Sequence, residues 1–250
     1  AKAQLFRNEW IDYSKTYYKF KVSFGIDPVT IQPIKKGLVR IKQADLASIG
    51  LGSIQAENFQ LFRNGVEVPI YTSVSSGLLG SSDYIEFWGE INDGKLDADL
   101  YRNMDFQLSD IWSLQEDEGT YFLTVNTSSA NKRYYATPNH VSGTSLSPTL
   151  YFMNTLSYTN RVIRNEGFAA QASKPLYSSS YDRGEGYSTR SIRPVGGGCG
   201  QGSFTVNFTD LKPYLSGPNI SLKVSAVGNA NNARKVKINL NGDSVDFFQM

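Results

Sequence analysis

The sequence predicts an all-β protein: an antiparallel β domain followed by a β-sandwich of jelly-roll, galactose-binding-like type. Three observations carry that expectation. Aromatic residues make up 13% of the 250-residue chain and charged residues 19%, a ring-rich, charge-poor composition that suits pleated sheets better than helices. Apolar residues recur with a period of two in run after run, and helical periodicity is almost absent. Asn64-Gly65 and Asn241-Gly242 each lie beside apolar runs, where the positive φ angles of a tight hairpin turn are needed.

The runs follow in order. "YYKFKVSFG" places Tyr18, Phe20, Val22 and Phe24 on one face and Tyr17, Lys19, Lys21 and Ser23 on the other, the pattern of a half-buried strand. "GLVRI" is a second strand, and "KQADLASIG" reads as one or two helical turns closed by Gly50. "FQLFRNGVEVPIY" is a hairpin about Asn64-Gly65, and "SDYIEFWG" and "GTYFLTV" are further alternating strands. The polar stretch "NTSSANKRYYATP" marks a boundary, giving domains 1–128 and 129–250, with Arg133 to Thr137 read as a strand crossing between them. Beyond it, "TLYFMNTLSY", "NRVIRNEG", "GSFTVNF", "ISLKVSAVG" and "ARKVKINLNG" read as the strands of a sandwich with one wet face. The stretch from Phe168 to Gln201 exceeds the usual connection of roughly 12–15 residues, so short strands are expected around Gly184 to Gly186. "VKINLNGDSVDFFQM" ends on a fresh apolar run, so the sandwich is expected to be cut short and the protein to continue past Met250.

Composition also excludes function classes. A formal net charge of +2 gives no electrostatic reason to expect nucleic acid. One cysteine, Cys199, and one histidine, His140, rule out an internal disulfide and any four-ligand Cys/His zinc site. No apolar run is long enough to make a transmembrane segment. Ala1 and Ala3 have the A-x-A form left at a signal-peptidase site, although no charged or apolar leader precedes them and an arbitrary start gives the same match; an exported protein, in the periplasm, at the outer-membrane surface or secreted, is carried as an expectation.

Four groups of residues could carry chemistry. Asp93, Asp97 and Asp99 crowd one loop. Counted from Asp93, the third position of an EF-hand is Lys95; counted from Asp97, the fifth is Tyr101, so neither frame fits. A different oxygen cage holding calcium stays open beside a solvated turn, for which Asn92-Asp93-Gly94 is a signal by itself. Cys199, in "VGGGCGQGS", has only His140 as a candidate base, and a lone cysteine is more often an inert residue. Carboxylate pairs for glycoside hydrolysis could be drawn from Glu86, Glu90, Glu166 or Glu185, with no spacing that prefers one. Tyr177, Tyr181 and Tyr187 could stack on a sugar or a peptide, or cover the sandwich core.

The block "LFRNGVEVPIY … SSDYIEFWGEINDGKLDADLYRN … EGTYFLTVN" resembles the N-terminal region of gingipain-type cysteine peptidases, most narrowly the PorU-type sortases of the type IX secretion system of Bacteroidetes. The matching segments are Asn64-Gly65, Tyr84 to Gly89, Asn92 to Tyr101 and Tyr121 to Thr124. In the second half "NEGF", "DRGEGY" and "KVKINLNG" match more weakly, and the tryptophan expected near Tyr187 is missing. The resemblance implies a non-catalytic N-terminal portion of a secreted or cell-surface peptidase or sortase, with catalytic cysteine and histidine in a downstream domain. It would position secreted protein substrates or support that catalytic domain, its two kinds of partner. The alternative reading is a carbohydrate-binding module using the loop tyrosines.

Overall fold

The computed structural model describes residues 10–28, 34–128, 130–137, 143, 147–156, 158, 161–166, 168–171, 174–177, 181–189, 191–192, 202–209, 212–228 and 235–249. The chain is all-β, mostly strands in antiparallel sheets with few helices. It divides into two compact units that do not follow chain order. Ala1–Asn92 and Glu116–Val141 form the first, and Asp93–Gln115 and Ser142–Met250 the second. The polar stretch expected at the boundary, Asn126 to Ser128, lies within the first unit, and the acidic loop belongs to the second.

In the first unit the strands are β1 (Tyr18–Val22), β2 (Lys36–Lys42), β3 (Phe59–Arg63), β4 (Val66–Val68), β5 (Tyr71–Thr72), β6 (Tyr84–Glu90) and β7 (Gly119–Val125), with one short helix, α1 (Gln43–Ser48), between β2 and β3. They make a four-stranded sheet, β1-β7-β3-β4, and a three-stranded sheet, β2-β6-β5. The hairpin turn and the helix stop expected in this half are both met: Asn64 and Gly65 take φ angles of 51° and 77°, and α1 ends before Gly50 at φ 84°. Alternation decides which side chains meet. Val22, Phe59, Leu61, Tyr121 and Leu123 of one sheet bury against Ile85 and Phe87 of the other. Phe87 packs on Tyr121 with ring centroids 5.0 Å apart, and Phe20 on Phe87 at 6.0 Å.

Arg133 does not begin a strand. A single parallel bridge joins it to Ile70, and residues 134–137 follow without a ladder. Its guanidinium instead ties three carbonyls of the first unit, donating to Ala56 O (3.1 Å), Glu57 O (2.8 Å) and Phe59 O (2.9 Å). These three bonds come from Nη2, while Nη1 donates to Lys132 O at 2.9 Å, so the planar fork serves two separate sets of acceptors, a geometry that a lysine ammonium cannot match. Arg133→Lys is therefore expected to lower the stability of the first unit by about 2 kcal/mol. Urea denaturation checks this, and an unchanged midpoint would show the clasp to be dispensable.

In the second unit the ladders are short: β8 (Ile163–Asn165) with β11 (Gly186–Ser188), β9 (Phe168–Gln171) with β10 (Lys174–Tyr177), and β12 (Lys235–Leu240) with β13 (Asp243–Gln249). Of the two short strands expected around Gly184 to Gly186, one is present, as β11, while residues 181–185 form a turn, and the last hairpin turns at Asn241 (φ 52°) and Gly242 (φ 97°). The apolar alternation of "GSFTVNF" and "ISLKVSAVG" yields no ladder over residues 202–208 or 220–228, nor does "TLYFMNTLSY" over its described residues. Alternation gives a strand an apolar face, but a ladder also needs a neighbour in register.

Candidate functional site

A densely bonded polar region among the described residues of the second unit is built from the acidic loop and the turn that carries Tyr181. The loop starts at Asn92-Asp93-Gly94, where Gly94 has φ 79° and a Cβ would overlap the carbonyl of Trp112. Asp93 accepts the Lys95 N–H at 3.1 Å and also pairs with the Lys95 ammonium. A 3₁₀ turn, Lys95–Leu100, follows. Its geometry turns Asp97 inward, where only 6% of the residue is exposed. That carboxylate accepts the Ser113 hydroxyl at 2.9 Å and the Leu114 N–H at 2.9 Å. Asp99 points to solvent.

The three aspartates thus separate into an inward carboxylate bonded to its own loop, a turn residue and an exposed one. Among the described residues no group of three or more His, Cys, Asp or Glu side chains converges as a metal site. Asp97 already has two strong donors, so its charge is used to close the loop.

Tyr101 continues the arrangement. It is buried, and its hydroxyl donates to Glu185 O at 3.0 Å. Its ring meets the edge of Tyr181 at 5.4 Å and 82°. The Tyr181 turn is tight: Tyr181 itself has φ 58°, and Gly184 and Gly186 have φ 75° and 147°. The Gly184 N–H donates to Phe106 O at 2.9 Å, so the turn is stitched to the loop by backbone bonds. Glu185 is 5% exposed, accepts the Asp182 N–H at 3.2 Å and lies 4.0 Å from Arg164. Asn165 of β8 donates to Ser188 Oγ of β11 at 2.8 Å.

Burial, then the nearby charges of Glu185 and Asp97, push the Tyr101 hydroxyl well above the usual tyrosine value. Burial also raises Tyr181, with Asp97 the next cause. The native state therefore keeps these protons at a pH where the unfolded chain, titrating near about 10, has released them. Their contribution to stability is complete below pH about 10 and is lost as pH rises further. The urea midpoint of the second unit is expected to be flat up to about pH 9 and to fall beyond 10. Tyr101→Phe should flatten that fall; a variant with the same alkaline profile as the parent would contradict it.

The other sequence candidates are placed as follows. Tyr187 is half-buried, with the Arg161 guanidinium 3.9 Å over its ring and donating to its hydroxyl at 2.7 Å, so one face of the ring is already covered. Tyr177 lies on β10; its side chain, Cys199 and His140 lie outside the described residues. Glu86 pairs with Arg40 and Glu90 with Arg63, both at 2.7 Å. Glu166 is exposed. Sequence reasoning missed Ser113 and Arg161, because a serine and an arginine in irregular segments carry no periodic signal. No family model, curated protein or solved structure matches this chain. No helix among the described residues is long and apolar enough to cross a membrane.

Proposed function

We propose that this chain is the non-catalytic N-terminal portion of an exported gingipain- or PorU-type cysteine peptidase, which holds substrate or the catalytic domain through strand edges and loops. The observation that carries this reading is the use to which the most family-like motif is put. In "NDGKLDADLY" the two buried side chains with hydrogen-bonding groups, Asp97 and Tyr101, are bonded to the unit's own serine and backbone. Residues so engaged order a loop and are not available to abstract a proton or attack a carbonyl. The same motif order, from Asn64-Gly65 to Tyr121–Thr124, falls on the β3–β4 turn, β6, the loop that follows it and β7, as a shared scaffold would. The partners in this reading are a downstream caspase-like domain and secreted protein substrates. A jelly-roll sandwich is the architecture it expects for the second unit.

The test pairs an activity assay with a binding assay on the purified 250-residue chain. The expected result is no thiol-dependent hydrolysis of fluorogenic peptides, together with saturable binding to a separately produced gingipain-type catalytic domain. Cleavage lost in Cys199→Ala would overturn the non-catalytic assignment. Absence of binding to the catalytic domain would overturn the accessory one.

A further inference from the structure

The three-stranded sheet of the first unit ends on β2, and among the described residues β2 has only β6 as a strand neighbour. The pairing is antiparallel and unbroken from Lys36↔Glu90 to Lys42↔Tyr84. At its two ends the Ile91 N–H donates to Lys35 O (2.9 Å) and the Gln43 N–H to Asp83 O (2.9 Å), so the odd-numbered residues face β6 with their backbone groups. The N–H and C=O groups of Lys36, Leu38 and Arg40 therefore face away from the sheet. The open stretch has defined limits. The Ile34 N–H is taken by Gly25 O at 3.0 Å, and the Lys42 N–H by Asp45 Oδ2 at 3.1 Å.

The side chains along this edge alternate. Lys36, Leu38, Arg40 and Lys42 stand on the outer face and are exposed, Leu38 to 62%. Val39 and Ile41 face inward and pack against the core. Arg40 is held by Glu86 at 2.7 Å, whereas Lys36 and Lys42 make no ion pair among the described residues.

We propose that β2 receives an added strand from a partner protein: an extended segment of about five residues in which acidic side chains alternate with apolar ones. Main-chain bonds to Lys36, Leu38 and Arg40 would supply the ladder. Acidic residues on the outer face would neutralise Lys36 and Lys42. Apolar residues on the inner face would continue the surface of Val39 and Ile41. Charge selects this occupant over a second copy of the chain. Two β2 strands laid edge to edge would set Lys36, Arg40 and Lys42 among the same cations of the other copy, a repulsive arrangement that guards edges against self-pairing. The edge is offered by β2 itself and does not depend on the chain belonging to a peptidase.

The test uses the full chain and an acetylated, amidated peptide of repeating Glu-Val. Hydrogen exchange of the Lys36, Leu38 and Arg40 amides is expected to slow on addition of peptide, while the amides of Gly37, Val39 and Ile41, already bonded to β6, change little. The double variant Lys36→Glu/Lys42→Glu should weaken binding by roughly tenfold or more. A peptide N-methylated at every residue, which removes the donors of both edges, should not bind. Leu38→Pro, which deletes an outward N–H at an edge position that accommodates proline, is a second route; the charge variant carries the test if the proline variant fails to fold. The proposal is overturned if peptide binding is absent at millimolar concentration, if a Lys-Val or N-methylated peptide binds equally well, or if exchange slows elsewhere only. It is also overturned if the chain alone sediments as a dimer that Leu38→Pro dissociates.

Discussion

Gly119→Ala is expected to destabilise the first unit by about 3 kcal/mol or more. Gly119 opens β7, opposite Val22 of β1, and a Cβ there would overlap the carbonyl oxygen of Glu90 at the end of β6. The obstacle is backbone, and backbone cannot rotate aside as a side chain can. The close approach is also pinned from a second direction. The Tyr121 hydroxyl, two residues on, accepts the Glu90 N–H at 2.8 Å, and Arg63 reaches Ile91 O at 2.8 Å and the Glu90 carboxylate. Relieving the overlap therefore means breaking bonds that hold one sheet to the other. Urea denaturation followed by tryptophan fluorescence measures the loss. A cost below about 1 kcal/mol would mean that the two strands separate easily and the close approach is incidental.

Asp97→Ala is expected to cost the second unit about 3 kcal/mol, because it strips a buried hydroxyl and a buried N–H of their acceptor at once. Both groups, on Ser113 and Leu114, lie in buried residues and have no route to bulk water without opening the loop. Ser113→Ala removes one donor and leaves the Leu114 bond in place, so it should cost about 1 kcal/mol. The double variant should then fall short of the sum of the two, since the hydroxyl's loss is counted in both. Full additivity in denaturation experiments would contradict the shared bond. Calcium provides a separate check. With Asp97 engaged inside and Asp99 pointing to solvent, millimolar calcium is expected to leave the melting temperature unchanged. A calcium-dependent rise abolished by Asp97→Ala would restore the loop as a cation site.

Much of the first unit was legible in the chain because its signals are local. "YYKFKVSFG" alternates and became a strand with Phe20 and Val22 on its more buried face, and "GLVRI" and "SDYIEFWG" became strands as expected. Asn64-Gly65 specified its turn because few other residue pairs accept two positive φ angles. The same rule overreached in the second half, where residues 202–208 and 220–228 alternate but carry no ladder. Arg133 was misread for a related reason: its value lies in three carbonyls supplied by residues 56–59, which no window around 133–137 contains.

The candidate site divides the same way. The sequence determined that Asn92-Asp93-Gly94 turns and that no EF-hand spacing is present, both properties of neighbouring residues. It could not tell which aspartate turns inward. That was decided by Ser113 and Leu114, sixteen and seventeen positions away from Asp97. Nor could it place Tyr101 against Glu185, which is separated from it by 84 residues. Period, turn chemistry and composition act over a few residues, and so the strand faces and the all-β class are written in the chain. The partner of a buried polar group is set by where distant segments come to rest, and only the tertiary structure supplies that.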